Sequence, residues 1–135
     1  VDLISMDVPS NGTTTIALLE DDKAVRIAVT LLLEAQGIHV IAGSSGTELA
    51  DQIATSGIQP HLLVADYLLG TQTALDEVPK VTALCAPDAK VVITTGDTSP
   101  DTQARIAAQG WGLLIKPYRP EDLLSNIEQK PEEAV

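Results

Sequence analysis

Residues 62–67 read LLVADY. Four apolar residues follow one another without a polar break, and the run closes on an acid. A strand with one wet face alternates apolar and polar residues; an unbroken run fits a strand covered on both faces, as in a parallel sheet. Working outward, the same shape recurs. Ile16–Glu20, His39–Ala42, Lys90–Thr95 and Leu113–Ile115 read as four further strands around Leu62–Asp66.

Helical signals fill the gaps. Val25, Ala28, Val29, Leu32 and Leu33 recur at the spacing of one helix face, before Gly37. Ser45 with Glu48 forms a capping-box pattern ahead of a helix that ends at Gly57. A third helix is expected over 74–86, with Val78, Val81 and Leu84 inward and Pro87 closing it. Ser99 and Pro100 open a fourth that runs to about Gln109, and Pro120 opens a fifth carrying Leu123, Leu124 and Ile127. Strict alternation of strand and helix with right-handed crossovers predicts an α/β fold, a doubly wound five-stranded parallel sheet.

The chain has 135 residues, enough for one domain. Residues 1–15 read as a linker, 16–130 as the domain and 131–135 as an acidic tail. With 44% hydrophobic residues but only 2% aromatic, the core must be aliphatic. The net charge of −11 argues against direct nucleic-acid binding, which needs clustered Lys and Arg, and against an anionic membrane surface. No apolar run approaches the ~20 residues of a membrane span. Cys85 is a lone cysteine, which suits a reducing compartment, with the cytoplasm as the expected location. Val1 is not an initiator Met, which fits a piece of a longer protein. His39 and His61 have no metal-ligand spacing.

In a doubly wound sheet the ligand site lies outside the carboxyl ends of the strands. The first strand ends in Glu20, Asp21 and Asp22, the third in Asp66, the fourth in Thr95 followed by Gly96, and the fifth in Lys116 followed by Pro117. Clustered carboxylates need protonation or a cation. An oxygen-only donor set suits Mg²⁺ better than Zn²⁺. Asp66 is then a candidate nucleophile toward phosphorus, with Lys116 balancing charge and Thr95 hydrogen-bonding the transferred group.

The pieces ALLEDD (17–22), LLVADY (62–67), VVITTGD (91–97) and LLIKPY (113–118), in this order, resemble the receiver domain of two-component response regulators. GDTSP (96–100) and KPYRP (116–120) are similar to receivers attached to hybrid sensor histidine kinases. The resemblance implies a flavodoxin-like fold with strand order 2-1-3-4-5 and a phosphorelay role, not that of a conventional enzyme. It implies phosphorylation of Asp66, and Mg²⁺ held by Asp21, Asp66, the Leu68 backbone carbonyl and, through water, Glu20. It further implies a switch hydroxyl on Thr95, charge balance by Lys116 and a cis bond at Pro117. The partner it implies is a histidine kinase or a histidine phosphotransfer protein, in trans or in cis with a kinase core. A homodimer through the fourth helix, fifth strand and fifth helix is a further expectation.

Three positions depart from the family pattern. The usual aromatic switch residue is Leu113, and Gly70 and Ala74 replace a Pro and a Gly after Asp66. These changes point to a differently shaped loop after Asp66. Two other readings compete. A pseudo-receiver would keep the fold as a docking module without phosphoryl chemistry. A haloacid dehalogenase-like phosphatase would need an acid two residues past Asp66, where Leu68 stands.

Overall fold

The five apolar runs form one sheet in the computed structural model, which describes residues 14–119, 121–123 and 125. The strands are β1 (Thr15–Leu19), β2 (His39–Gly43), β3 (Leu62–Asp66), β6 (Lys90–Thr95) and β7 (Gly112–Ile115). A small hairpin, β4 (Leu68–Leu69) and β5 (Gln72–Thr73), stands between β3 and β6. All pairings in the large sheet are parallel, in the order β2-β1-β3-β6-β7. This is the anticipated flavodoxin-like order once the hairpin is passed over.

Period two explains why the runs are unbroken. Ile16, Leu18, Leu62 and Val64 join an apolar cluster with Leu33 and Leu123. Ala17, Leu19, Leu63 and Ala65 join a second cluster with Leu49, Ile53, Val78, Val81 and Ile106. Successive side chains point to opposite faces, and both faces are covered.

The helices are α1 (Lys23–Glu34), α2 (Gly46–Ser56), α3 (Ala74–Glu77), α4 (Pro79–Thr82) and α5 (Pro100–Ala108); residues 121–123 and 125 are helical too. The caps follow the sequence signals. Ser45 accepts from the Glu48 N–H, Glu48 reaches back to the Ser44 N–H, and Gly57 ends α2 in the left-handed region. Ser99 accepts from the Thr102 N–H at the start of α5.

Four expectations need correction. The single helix over 74–86 is two short helices ending at Thr82, because Pro79 has no N–H to continue the first. The α1 stripe is rotated: only Leu33 is buried and Val29 half-buried, while Val25, Ala28 and Leu32 are exposed. Arg26 turns inward instead, its guanidinium donating to the Glu20 carbonyl at 2.8 Å. Thr15, assigned to the linker, already belongs to β1. Glu20, assigned to the first strand, lies just beyond it. Residues 1–13, Pro120, Leu124, Ile127 and the tail at 131–135 lie outside the described residues.

Candidate functional site

Three neighbouring parallel pairings bring four strand ends side by side. Glu20 is the first residue after β1, Asp66 closes β3, Thr95 closes β6 and Lys116 follows β7. The backbone is tied at this edge: Glu20 N–H donates to the Gly43 carbonyl at 3.1 Å and Lys116 N–H to the Thr95 carbonyl at 2.8 Å. The Lys116–Pro117 bond is cis.

The carboxylates of Glu20, Asp21 and Asp66 converge, each offering an oxygen within 4.8 Å of the others. Glu20 is buried, Asp66 half-buried and Asp21 exposed. Two unit charges at that range repel by roughly 3 kcal/mol at an effective dielectric near 20. Lys116 supplies one ammonium, with Nζ 3.1 Å from Asp66 Oδ1 and 3.9 Å from Glu20 Oε1. One ammonium cannot neutralise three carboxylates.

Protonation equilibria register the surplus. Burial pushes the Glu20 carboxyl above its ordinary range, and the Asp66 charge adds to that; the Asp22 N–H, which Glu20 Oε2 accepts at 3.1 Å, and Lys116 oppose it. Burial likewise raises Asp66, more than Lys116 lowers it. Burial alone would lower Lys116, but its hydrogen bond to Asp66 and the charges of Asp66 and Glu20 raise it. An oxygen-only cluster with excess negative charge fits a hard divalent cation such as Mg²⁺.

The remaining anticipated residues fall into place unevenly. Thr95 is buried at the same edge, its Oγ1 accepting the Asp97 N–H at 3.0 Å. Leu68 is 62% exposed and belongs to β4, in the short hairpin that follows Asp66. Leu113 pairs with Ile93 and packs half-buried against the apolar cluster, so the aromatic position is filled by aliphatic core.

Three further residues bear on the site. Gly70 has φ +65° at the tip of the hairpin, and its N–H donates to Asp21 Oδ2 at 2.9 Å. A two-residue hairpin turn favours glycine there, so the departure noted in the sequence supplies a donor to the acidic cluster. Arg26 clamps the Glu20 carbonyl. The available signal was a cation in the first turn of a helix, where the macrodipole disfavours it unless it has a partner. Tyr118, just past the cis bond, packs against the cluster under α1. Burial raises its phenol, and Lys116 pulls the other way.

A CheY-like receiver domain protein from Methanospirillum hungatei JF-1 superposes with a TM-score of 0.75 at 24% identity, covering 90% of this chain and 96% of that one. Chemotaxis protein CheY4 of Vibrio cholerae gives 0.72 at 21% identity, covering 87% and 98%. The receiver domain of the hybrid histidine kinase CckA gives 0.67 at 23% identity, covering 85% and 96%. These likenesses establish the fold. In sequence, the chain is 25% identical over 123 residues to sensor kinase CckA of Brucella abortus (strain 2308); the match takes in 88% of this chain but only 13% of that protein's length. The model of the response regulator receiver domain matches residues 16–128. With the sheet order, the convergent acids and that match in agreement over most of its length, the chain belongs to the response regulator receiver domain family.

Proposed function

We propose that this domain accepts a phosphoryl group on Asp66 from a phosphohistidine and passes the signal on through altered protein contacts. The family is one of signalling domains, not of conventional enzymes. The observation that carries the reading is the convergence of Glu20, Asp21 and Asp66 within 4.8 Å, with Lys116 Nζ 3.1 Å from the Asp66 carboxylate.

In the transfer, an Asp66 Oδ forms a bond to phosphorus while the P–N bond to the donor imidazole breaks. The electron pair remains on the imidazole nitrogen, which takes up a proton. Asp66 is suited to this role because it ends a buried strand and is half-buried beside a cation, so its attacking oxygen is held rather than free to rotate. Lys116 neutralises charge on the transferring group. The Thr95 hydroxyl, whose oxygen already accepts from Asp97, keeps its hydrogen to donate to a phosphoryl oxygen. Asp21, Asp66, Glu20 and the Leu68 carbonyl are the groups that would hold Mg²⁺. When bound, the ion supplies positive charge to the acidic cluster and to the phosphoryl oxygens.

The donor is a histidine kinase or a histidine phosphotransfer protein. The match to part of a sensor kinase supports a donor in the same polypeptide. The test is labelling by acetyl phosphate. Labelling should require Mg²⁺ and be abolished by Asp66→Asn. Full labelling of the Asn variant would remove Asp66 from this role, and an unlabelled wild-type chain that still binds a kinase would favour the docking module.

A further inference from the structure

Gly70 and Thr71 join β4 to β5. Gly70 has φ +65° and Thr71 does not share the left-handed region, the pattern of a type II′ hairpin turn. Leu69 and Gln72 close the ladder, so the Gly70 N–H takes no part in it and is left to an outside acceptor. That acceptor is Asp21 Oδ2, 49 residues earlier in the chain, at 2.9 Å. A Cβ on residue 70 would meet nothing closer than this same oxygen, at 4.0 Å. The glycine therefore answers to the turn conformation and not to crowding. The hairpin that presents it is anchored on both sides. Tyr67, Leu69 and Ala74 are buried in one apolar cluster. The Tyr67 N–H donates to the Thr94 carbonyl at 2.9 Å, and the Ala74 N–H to the Tyr67 carbonyl at 2.8 Å.

The three clustered acids are not held alike. Glu20 Oε2 accepts the Asp22 N–H, and Asp66 Oδ1 lies 3.1 Å from Lys116 Nζ. Asp21 is the exposed member, and the Gly70 N–H is the one hydrogen-bond donor to its side chain among the described residues. Repulsion from the other two carboxylates would turn an unheld, exposed side chain toward water. A donor on Oδ2 opposes that rotation and leaves the other oxygen to serve a cation. We propose that Gly70 is a positioning residue for Mg²⁺: its N–H, carried on the anchored hairpin, sets the rotation of the Asp21 carboxylate before the ion binds. The proposal rests on the reading of the acidic cluster as a Mg²⁺ site. It also gives a use to the Gly in place of Pro at this position, since Pro has no N–H to donate.

The test removes the N–H and keeps the turn. Semisynthesis of the full 135-residue chain with glycolic acid in place of Gly70 exchanges one backbone amide for an ester. Isothermal titration calorimetry with Mg²⁺ then compares the ester chain with the all-amide chain. Loss of a hydrogen bond to a charged group is expected to weaken Mg²⁺ binding about tenfold. Amide exchange in chelator supplies a readout that separates positioning from damage to the hairpin. The Tyr67 and Ala74 N–H groups, which fasten the hairpin, should keep their protection in the ester chain. Equal Mg²⁺ affinity in the two chains would overturn the proposal and leave the Mg²⁺ reading of the acidic cluster standing. Weaker binding accompanied by lost protection at Tyr67 and Ala74 would overturn it as well, because the hairpin would then have come loose. An all-amide chain that binds no Mg²⁺ would overturn both the proposal and the reading beneath it.

Discussion

Glu20 and Glu77 are the same residue type and each exposes little surface, 5% and 4%, yet their carboxyls are shifted in opposite directions. Glu77 is the last residue of α3, and its side chain reaches the start of α2. Its Oε1 accepts the Gly46 N–H at 2.8 Å and its Oε2 accepts from Lys80 Nζ at 3.0 Å. These two bonds hold its carboxyl below the ordinary range. Glu20 has one backbone donor, a distant ammonium and two carboxylates for company, and burial prevails. Depth of burial and the surrounding donors together fix the charge state of a carboxylate. One site is a finished structural clasp. The other is left short of positive charge, as a cation-dependent site requires.

The largest expected contrast is in Mg²⁺ dependence. A ligand at a hundred times its Kd stabilises the folded state by about 2.7 kcal/mol. Thermal unfolding should show such a gain in wild type and its near loss in Asp21→Asn, whereas Glu77→Ala should keep it in full. An undiminished Mg²⁺ effect in Asp21→Asn would separate the acidic cluster from the metal.

Next in size is stability without metal. Glu77→Ala leaves the Gly46 N–H and Lys80 without their acceptor and should cost roughly 1.5–3 kcal/mol in urea unfolding. Glu20→Gln relieves repulsion and should raise stability by about 1 kcal/mol in the presence of chelator. Equal losses from both substitutions would erase the distinction between the sites.

The smallest effect is on pH. The folded-state value of Glu77 is depressed, so the unfolded chain binds more protons at this position. Its contribution is present above the ordinary 4.5 and is lost as pH falls through the lower folded value. Glu20 is raised, so the folded chain binds more protons just above 4.5, and stability falls as pH rises through that window. In chelator, Glu77→Gln should flatten the limb below 4.5 and Glu20→Gln the limb above it. Both limbs persisting in both variants would assign them to other groups.

The legibility of the two sites in the sequence differs for a related reason. The strand ends were readable to within a residue, because unbroken apolar runs stop where the sheet stops and the acids, Thr95 and Lys116 stand at or just past those stops. The Glu77 clasp was not, because its partner lies 31 residues away at a helix start and no local pattern joins them. Gly46 gives one hint after the fact: a Cβ there would sit 2.6 Å from the Glu77 carbonyl. The rotation of α1 was also hidden. Its apolar residues cover more than half the helix, so periodicity did not single out the inner face, and the Arg26 bond to Glu20 did.

The central claim is that Asp66 carries the phosphoryl group, and chemical trapping of the modified residue tests it most directly. After incubation with acetyl phosphate and Mg²⁺, borohydride reduces an acyl phosphate to an alcohol, turning aspartate into homoserine. Peptide mass mapping should find homoserine at position 66. Homoserine at position 21 instead, or a reduced glutamate at position 20, would contradict the account.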